Sequence, residues 1–160
     1  MADSLEPAER KPTPRNVKIA FALIILIAGY FIFRSQQKDL TIASWIDSKS
    51  QLLASVLRQA KEEDRKVVAF FVNSPPSTTA RTIAGRVRKP ANITAVKEGK
   101  FLPVVVHVDG TNDPLCTQYK ITALPTFVVF LPDGTERNRK AGDPGEVPFR
   151  EQLLAGPPQQ

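Results

Sequence analysis

The sequence predicts an α/β domain, a central mixed sheet flanked by helices, preceded by one N-terminal transmembrane helix. Three observations carry this. Residues 67–73 and 101–109 are almost continuously apolar, as strands covered on both faces of a sheet must be. Helical patterns alternate with these runs, which calls for crossover connections. Residues 19–33 form an apolar run flanked by Lys18 and Arg34.

At about 1.5 Å per residue that run is roughly 22 Å long as a helix, short of a hydrocarbon layer of about 30 Å. Adding the flanking residues closes the gap if the Lys and Arg stems reach towards the headgroups, so residues 17–34 are the expected anchor. Tyr30 lies near one end, as interfacial aromatics do. A cleaved signal peptide also has a basic leader and an apolar core, but no small-x-small cleavage site follows Phe33. Arg10, Lys11, Arg15 and Lys18 precede the run, whereas only Arg34 and Lys38 follow closely. The positive-inside rule then keeps the N-terminus cytoplasmic and puts the rest outside, in the periplasm if the cell is bacterial. Residues 1–16 mix charge with Pro7, Pro12 and Pro14 and show no periodicity, which predicts a disordered tail. Residues 35–41 read as a linker.

The folded domain is expected over 42–155, with a disordered tail at 156–160. Ser44 with Asp47 three residues later, or Ser48 instead, looks like a helix start, and Leu53, Val56, Leu57 and Ala60 share one helical face. Strand 67–73 leads through Ser74-Pro75-Pro76-Ser77 to a second helix, capped by Thr78 or Thr79, with Ala80, Ile83, Ala84 and Val87 as its inward stripe. Pro90 breaks that helix, and a short helix over 92–98 closes at Gly99. Strand 101–109, helix 114–120, strand 126–131, the turn Pro132-Asp133-Gly134, an edge strand 135–140 and a helix 146–154 complete the order.

The chain has 160 residues, 42% hydrophobic, enough for one core. The net charge of +6 does not signal nucleic acid binding, because part of it flanks the apolar run. Another part, Arg81, Arg86, Arg88 and Lys89, lies on one helix without stacking aromatics. These four form a basic face suited to anionic headgroups or an acidic neighbour. Single His107 has no second ligand at metal spacing, and Ser74 and Ser77 have no base beside them, so neither a metal nor a cofactor is implied. Asn92-Ile93-Thr94 matches an N-glycosylation acceptor.

The element order, the strand entrance Leu124-Pro125-Thr126-Phe127 and the turn at 132–134 together resemble the thioredoxin-like superfamily. The resemblance implies a C-x-x-C pair after the first long strand. Aligned on Phe71, Pro76 and Thr79 stand where those thiols would be, and Phe70 replaces the family's buried acid. Dithiol exchange needs a thiolate at a helix N-terminus and a second thiol to resolve the mixed disulfide, so this chain is expected to be redox-inactive. The resemblance also implies that Pro125 is cis and that an extended partner polypeptide pairs beside it. Leu124 and Pro125, facing Ser74, Pro75, Pro76, Ser77, Thr78 and Thr79, become the candidate partner-binding site. The expected function is a membrane-tethered, non-catalytic module that binds a protein partner at or in the same membrane and assists a membrane complex. The alternative is a thiol-disulfide oxidoreductase acting through Cys116, the only cysteine, with thiols borrowed from a partner. A buried, inert Cys116 is the reading its helical position favours.

Overall fold

A computed structural model describes residues 19, 21, 23–30, 42, 45–47 and 52–156. The chain divides into two compact units, 1–38 and 39–160. In the first, residues 19, 21 and 23–30 are helical, and their large apolar side chains are all more than half exposed, from Leu23 at 52% to Leu26 at 69%. Among the described residues no helix is long and apolar enough to cross a membrane. The expected tail at 1–16, all of the expected tail at 156–160 but the buried Gly156, the linker 35–41 and residues 17, 18, 20, 22 and 31–34 of the anchor lie outside the described residues.

The second unit is built on a five-stranded sheet. Its elements are β1 (Ile46–Asp47), α1 (Leu53–Glu62), β2 (Lys66–Asn73), α2 (Thr78–Val87), α3 (Pro90–Glu98), β3 (Phe101–Val108), α4 (Pro114–Gln118), β4 (Thr126–Phe130) and β5 (Glu136–Ala141). A last helix, α5 (Glu146–Pro148), runs into a π-helical turn, Phe149–Leu154. The strand order is β1-β3-β2-β4-β5, parallel from β1 to β2 and antiparallel across β2–β4 and β4–β5.

The two-residue period of the strands sorts the core into two layers. Val68, Phe70 and Val72 of β2, with Val105, Phe127 and Val129, face α2, α3 and the last helix through Ala80, Ile83, Val96, Phe149 and Leu153. Val67, Ala69 and Phe71, with Val104, Val106 and Val128, face α1 and α4 through Leu53, Val56, Ala60 and Cys116. This double coverage explains why β2 and β3 are apolar nearly throughout. An aromatic column pins the first layer: Phe70 stacks on Phe127 at 4.1 Å, and Phe149 meets Phe127 edge-on at 5.5 Å.

Several expectations need correction. The helix start read at Ser44 and Asp47 is not realised: Ile46–Asp47 is a strand paired with Val104 and Val105, and the helix begins at Leu53 without a side-chain cap. Ser44 and Ser48 themselves lie outside the described residues. Pro90 ends one helix and also opens the next at its first turn, where a missing N–H costs nothing. Gly99 closes α3 for reasons of space, since a Cβ there would stand 2.4 Å from the Phe101 ring. The edge strand runs Glu136–Ala141, not 135–140, and β3, α4 and β4 end one or two residues early.

Candidate functional site

The candidate site lies where β2 and β4 part. Their ladder ends at the pair Phe71 and Thr126, so the segments that follow Phe71 and precede Thr126 leave the sheet at the same end. On the β2 side, Asn73 and Ser74 stay tied to β3, the Ser74 N–H donating to the Val108 carbonyl at 2.9 Å. Ser74–Pro75 is a cis peptide, which the sequence reading did not foresee. Ser77 then caps α2, its Oγ accepting from the Ala80 N–H at 3.1 Å, so the cap is Ser77 and not Thr78 or Thr79. The Arg81 Nε donates to the Pro76 carbonyl at 3.4 Å and ties the turn to the helix.

On the β4 side, Leu124–Pro125 is also cis, as the resemblance implied. Pro125 is buried and its carbonyl accepts from the Gly142 N–H at 2.8 Å, which fixes it to the β5 end. Thr126 Oγ1 donates to the Ala123 carbonyl at 2.7 Å. The N–H and C=O of Leu124, by contrast, make no hydrogen bond among the described residues, and its side chain packs half-buried against the α1–α4 layer. An open backbone amide pair on a strand extension is what an added strand requires.

The turn from Ser74 to Thr79 contains no cysteine. Pro76 is buried, while Pro75, Thr78 and Thr79 are exposed. A threonine hydroxyl does not ionise near neutral pH, and proline has no nucleophile. Phe70, the residue the resemblance sets in place of the family's buried acid, is fully buried and stacked on Phe127.

Cys116 is elsewhere. It projects from α4 into the layer on the opposite sheet face from α2, is 1% exposed, and its Sγ–H donates to the Gly110 carbonyl at 3.4 Å. Burial, and then the nearby Asp113 carboxylate, push its pKa above the usual thiol value. Both effects disfavour the thiolate that exchange needs. His107 is half-buried on β3 opposite Val72. Among the described residues, no group of three His, Cys, Asp or Glu side chains could hold a metal ion.

Of the expected basic face, Arg81, Arg86, Arg88 and Lys89 are all exposed on α2 or just after it. Arg86 pairs with Asp143 from the loop after β5, a partner 57 residues away that no sequence pattern announces. Asn92 is not available to glycosylation in the folded chain: it is fully buried, its Nδ2 donates to the Arg86 carbonyl at 2.9 Å, and its Oδ1 accepts from Arg150 at 3.1 Å.

Solved structures with the same arrangement exist. The C-terminal domain of DsbD from Neisseria meningitidis, in its reduced form, superposes with a TM-score of 0.54 at 21% identity, covering 66% of this chain and 95% of that one. A thioredoxin from Thermus thermophilus gives 0.52 at 18% identity, covering 66% and 82%. The fold is thioredoxin-like. A disulphide isomerase from Xylella fastidiosa Temecula1 is similar too, with a TM-score of 0.50 at 21% identity over 68% of this chain and 84% of that one. Neither protein-family profiles nor curated protein sequences give a match. The thioredoxin-like domain carries one cysteine, so no C-x-x-C pair is present.

Proposed function

We propose that the chain is a membrane-tethered, redox-inactive thioredoxin-like module that holds an extended segment of a partner polypeptide. The observation that carries this is the open backbone of Leu124 beside Pro125, at the end of the sheet where the thiol-free turn after β2 also leaves it. A strand laid along Leu124 gains main-chain hydrogen bonds there, and Ser74, Pro75, Thr78 and Thr79 supply an uncharged wall. The tether rests on the apolar run at 19–33, whose described side chains are exposed to their surroundings with no polar face. A partner at or in the same membrane, with the domain on the extracytoplasmic side, follows from that tether and from the basic leader.

The test is photocrosslinking in intact membranes from a reactive residue placed at position 124 or 75. Both are expected to capture the same chain, with capture from position 75 reduced at least tenfold by Leu124→Pro, which removes the N–H. A position 124 that captures nothing while position 75 crosslinks only lipid would overturn the reading. The alternative, an oxidoreductase using Cys116, predicts disulfide reduction by the purified chain that Cys116→Ser abolishes. The burial and raised pKa of that thiol argue for background rates instead.

A further inference from the structure

β5 is an edge strand, bonded to β4 along one side only. The Gly142 N–H donates to the Pro125 carbonyl, and the pairs Phe127–Lys140 and Val129–Asn138 keep that register, so Asn138, Lys140 and Gly142 turn their amide groups to β4. Antiparallel alternation then turns those of Arg139 and Ala141 outward. The Arg139 N–H is met there by Asn138 Oδ1 at 2.9 Å. The Arg139 carbonyl and the N–H and carbonyl of Ala141 make no hydrogen bond among the described residues. Beside this edge runs a groove of about 160 Å³, lined by Asn138, Arg139 and Lys140 of β5 and by Pro144, Pro148, Gln152 and Leu153. That is about half of the roughly 300 Å³ at which small-molecule sites begin, so it suits one side chain better than a free ligand. Lys140 is exposed and makes no hydrogen bond or ion pair among the described residues. No acid lines the groove: Glu136 is held by the Arg139 guanidinium, Asp143 by Arg86, and Glu146 and Glu151 of the last helix lie outside the lining.

We infer that the outer edge of β5 pairs with an extended, acidic segment of a partner protein, one of whose carboxylates enters the groove beside Lys140. This site is separate from the opening at Leu124 and rests neither on that reading nor on the tether. The main chain of Arg139 and Ala141 supplies the hydrogen bonds of an added strand. Charge selects the occupant. β5 carries Arg137, Arg139 and Lys140 against the single acid Glu136, and Arg137 keeps its charge because the carbonyl it binds, that of Ala155, is neutral. A second copy of the chain is disfavoured by the same charges. Antiparallel self-pairing centred on Asn138, Arg139 or Lys140 sets Arg137 against Arg139, Arg139 against itself or Lys140 against itself, and like charges directly opposite destabilise a pair. The edge cations thus repel copies of β5 and leave the strand open to an acidic one.

The test uses the full chain in neutral detergent micelles and three fluorescent peptides in which valine alternates with glutamate, glutamine or lysine. Anisotropy is expected to show the glutamate peptide binding about tenfold more tightly than the glutamine one, the size that two cross-strand ion pairs give, and the lysine peptide more weakly than either. Hydrogen exchange at the Ala141 amide should slow several-fold in the bound state. Ala141→Pro, which removes an outward N–H and no bond to β4, should abolish binding. Lys140→Glu leaves the backbone intact and should reverse the preference towards the lysine peptide, so the inference stays testable even if the proline variant fails to fold. Leu124→Pro should bind as the native chain does. No binding up to about 1 mM peptide, or equal affinity for all three peptides, overturns the inference. Binding lost in Leu124→Pro but kept in both β5 variants would move the peptide to the other opening, and a dimer of the native chain that Ala141→Pro dissolves would give the edge to a second copy; either result overturns it too.

Discussion

At the scale of single residues, two buried polar side chains have opposite consequences for chemistry. Cys116 is a thiol held in the neutral state by burial and by Asp113. Its folded pKa lies above the unfolded value, so the stability linked to it is complete below an unfolded pKa of about 8.5. It is lost as pH rises through the folded value, because the unfolded chain forms the thiolate first. Labelling of Cys116 by a thiol reagent at neutral pH is therefore expected to be on the order of 100-fold slower in the native protein than in denaturant. Labelling at equal rates in both states would contradict the burial. Asn92 does structural work instead, joining the Arg86 carbonyl at the end of α2 to Arg150 of the last helix. Asn92→Ala leaves both partners without it and should lower the unfolding free energy by about 2 kcal/mol, read from the denaturant midpoint. No glycan should be found at 92 on the folded protein. The sequence pattern marked Asn92 only as an acceptor, because burial is a property of its neighbours and not of the triplet.

At the scale of elements, the turn between β2 and α2 is fastened by local bonds that spacing can suggest and by distant ones that it cannot. Ser77→Ala removes the cap on the Ala80 N–H and should cost about 1 kcal/mol, measured by urea unfolding, while weakening any crosslink from position 75. Choosing Ser77 over Thr78 or Thr79 was not possible from sequence, since serine and threonine both cap well. Strands β2 and β3 and the stripe Ala80, Ile83, Ala84 and Val87 were legible because burial on a regular element imposes a period. β1 was not, since two residues on an edge carry no period at all. β5 hides a similar irregularity. Its register against β4 slips between Val129 and Phe130, inserting Arg137, and the polar strand then serves as a set of caps. Arg137 donates to the Ala155 carbonyl, Asn138 to those of Gln152 and Leu153, and Arg139 to those of Tyr119 and Lys120. These satisfy carbonyls at the ends of α4 and the π-helical turn that would otherwise be open.

At the scale of the whole molecule, the proposed arrangement is an apolar anchor followed by a thioredoxin-like domain whose candidate site has an open strand extension and no cysteine. The topology is checked by alkaline phosphatase fused after residue 40, which is expected to be active only when exported; activity confined to cytoplasmic controls would reverse the orientation.

The sequence by itself determined the layered α/β order, the two covered strands, the apolar run and the absence of a second thiol. Each of these follows from composition or from a short period along the chain. Only the tertiary structure decided that Leu124 is left with open amide groups, that Asp143 answers Arg86, that Asn92 is sealed in, and that Cys116 and α2 lie on opposite faces of the sheet. Those facts depend on which distant segments meet across the sheet, and contacts between residues dozens of positions apart leave no periodic trace in a single chain.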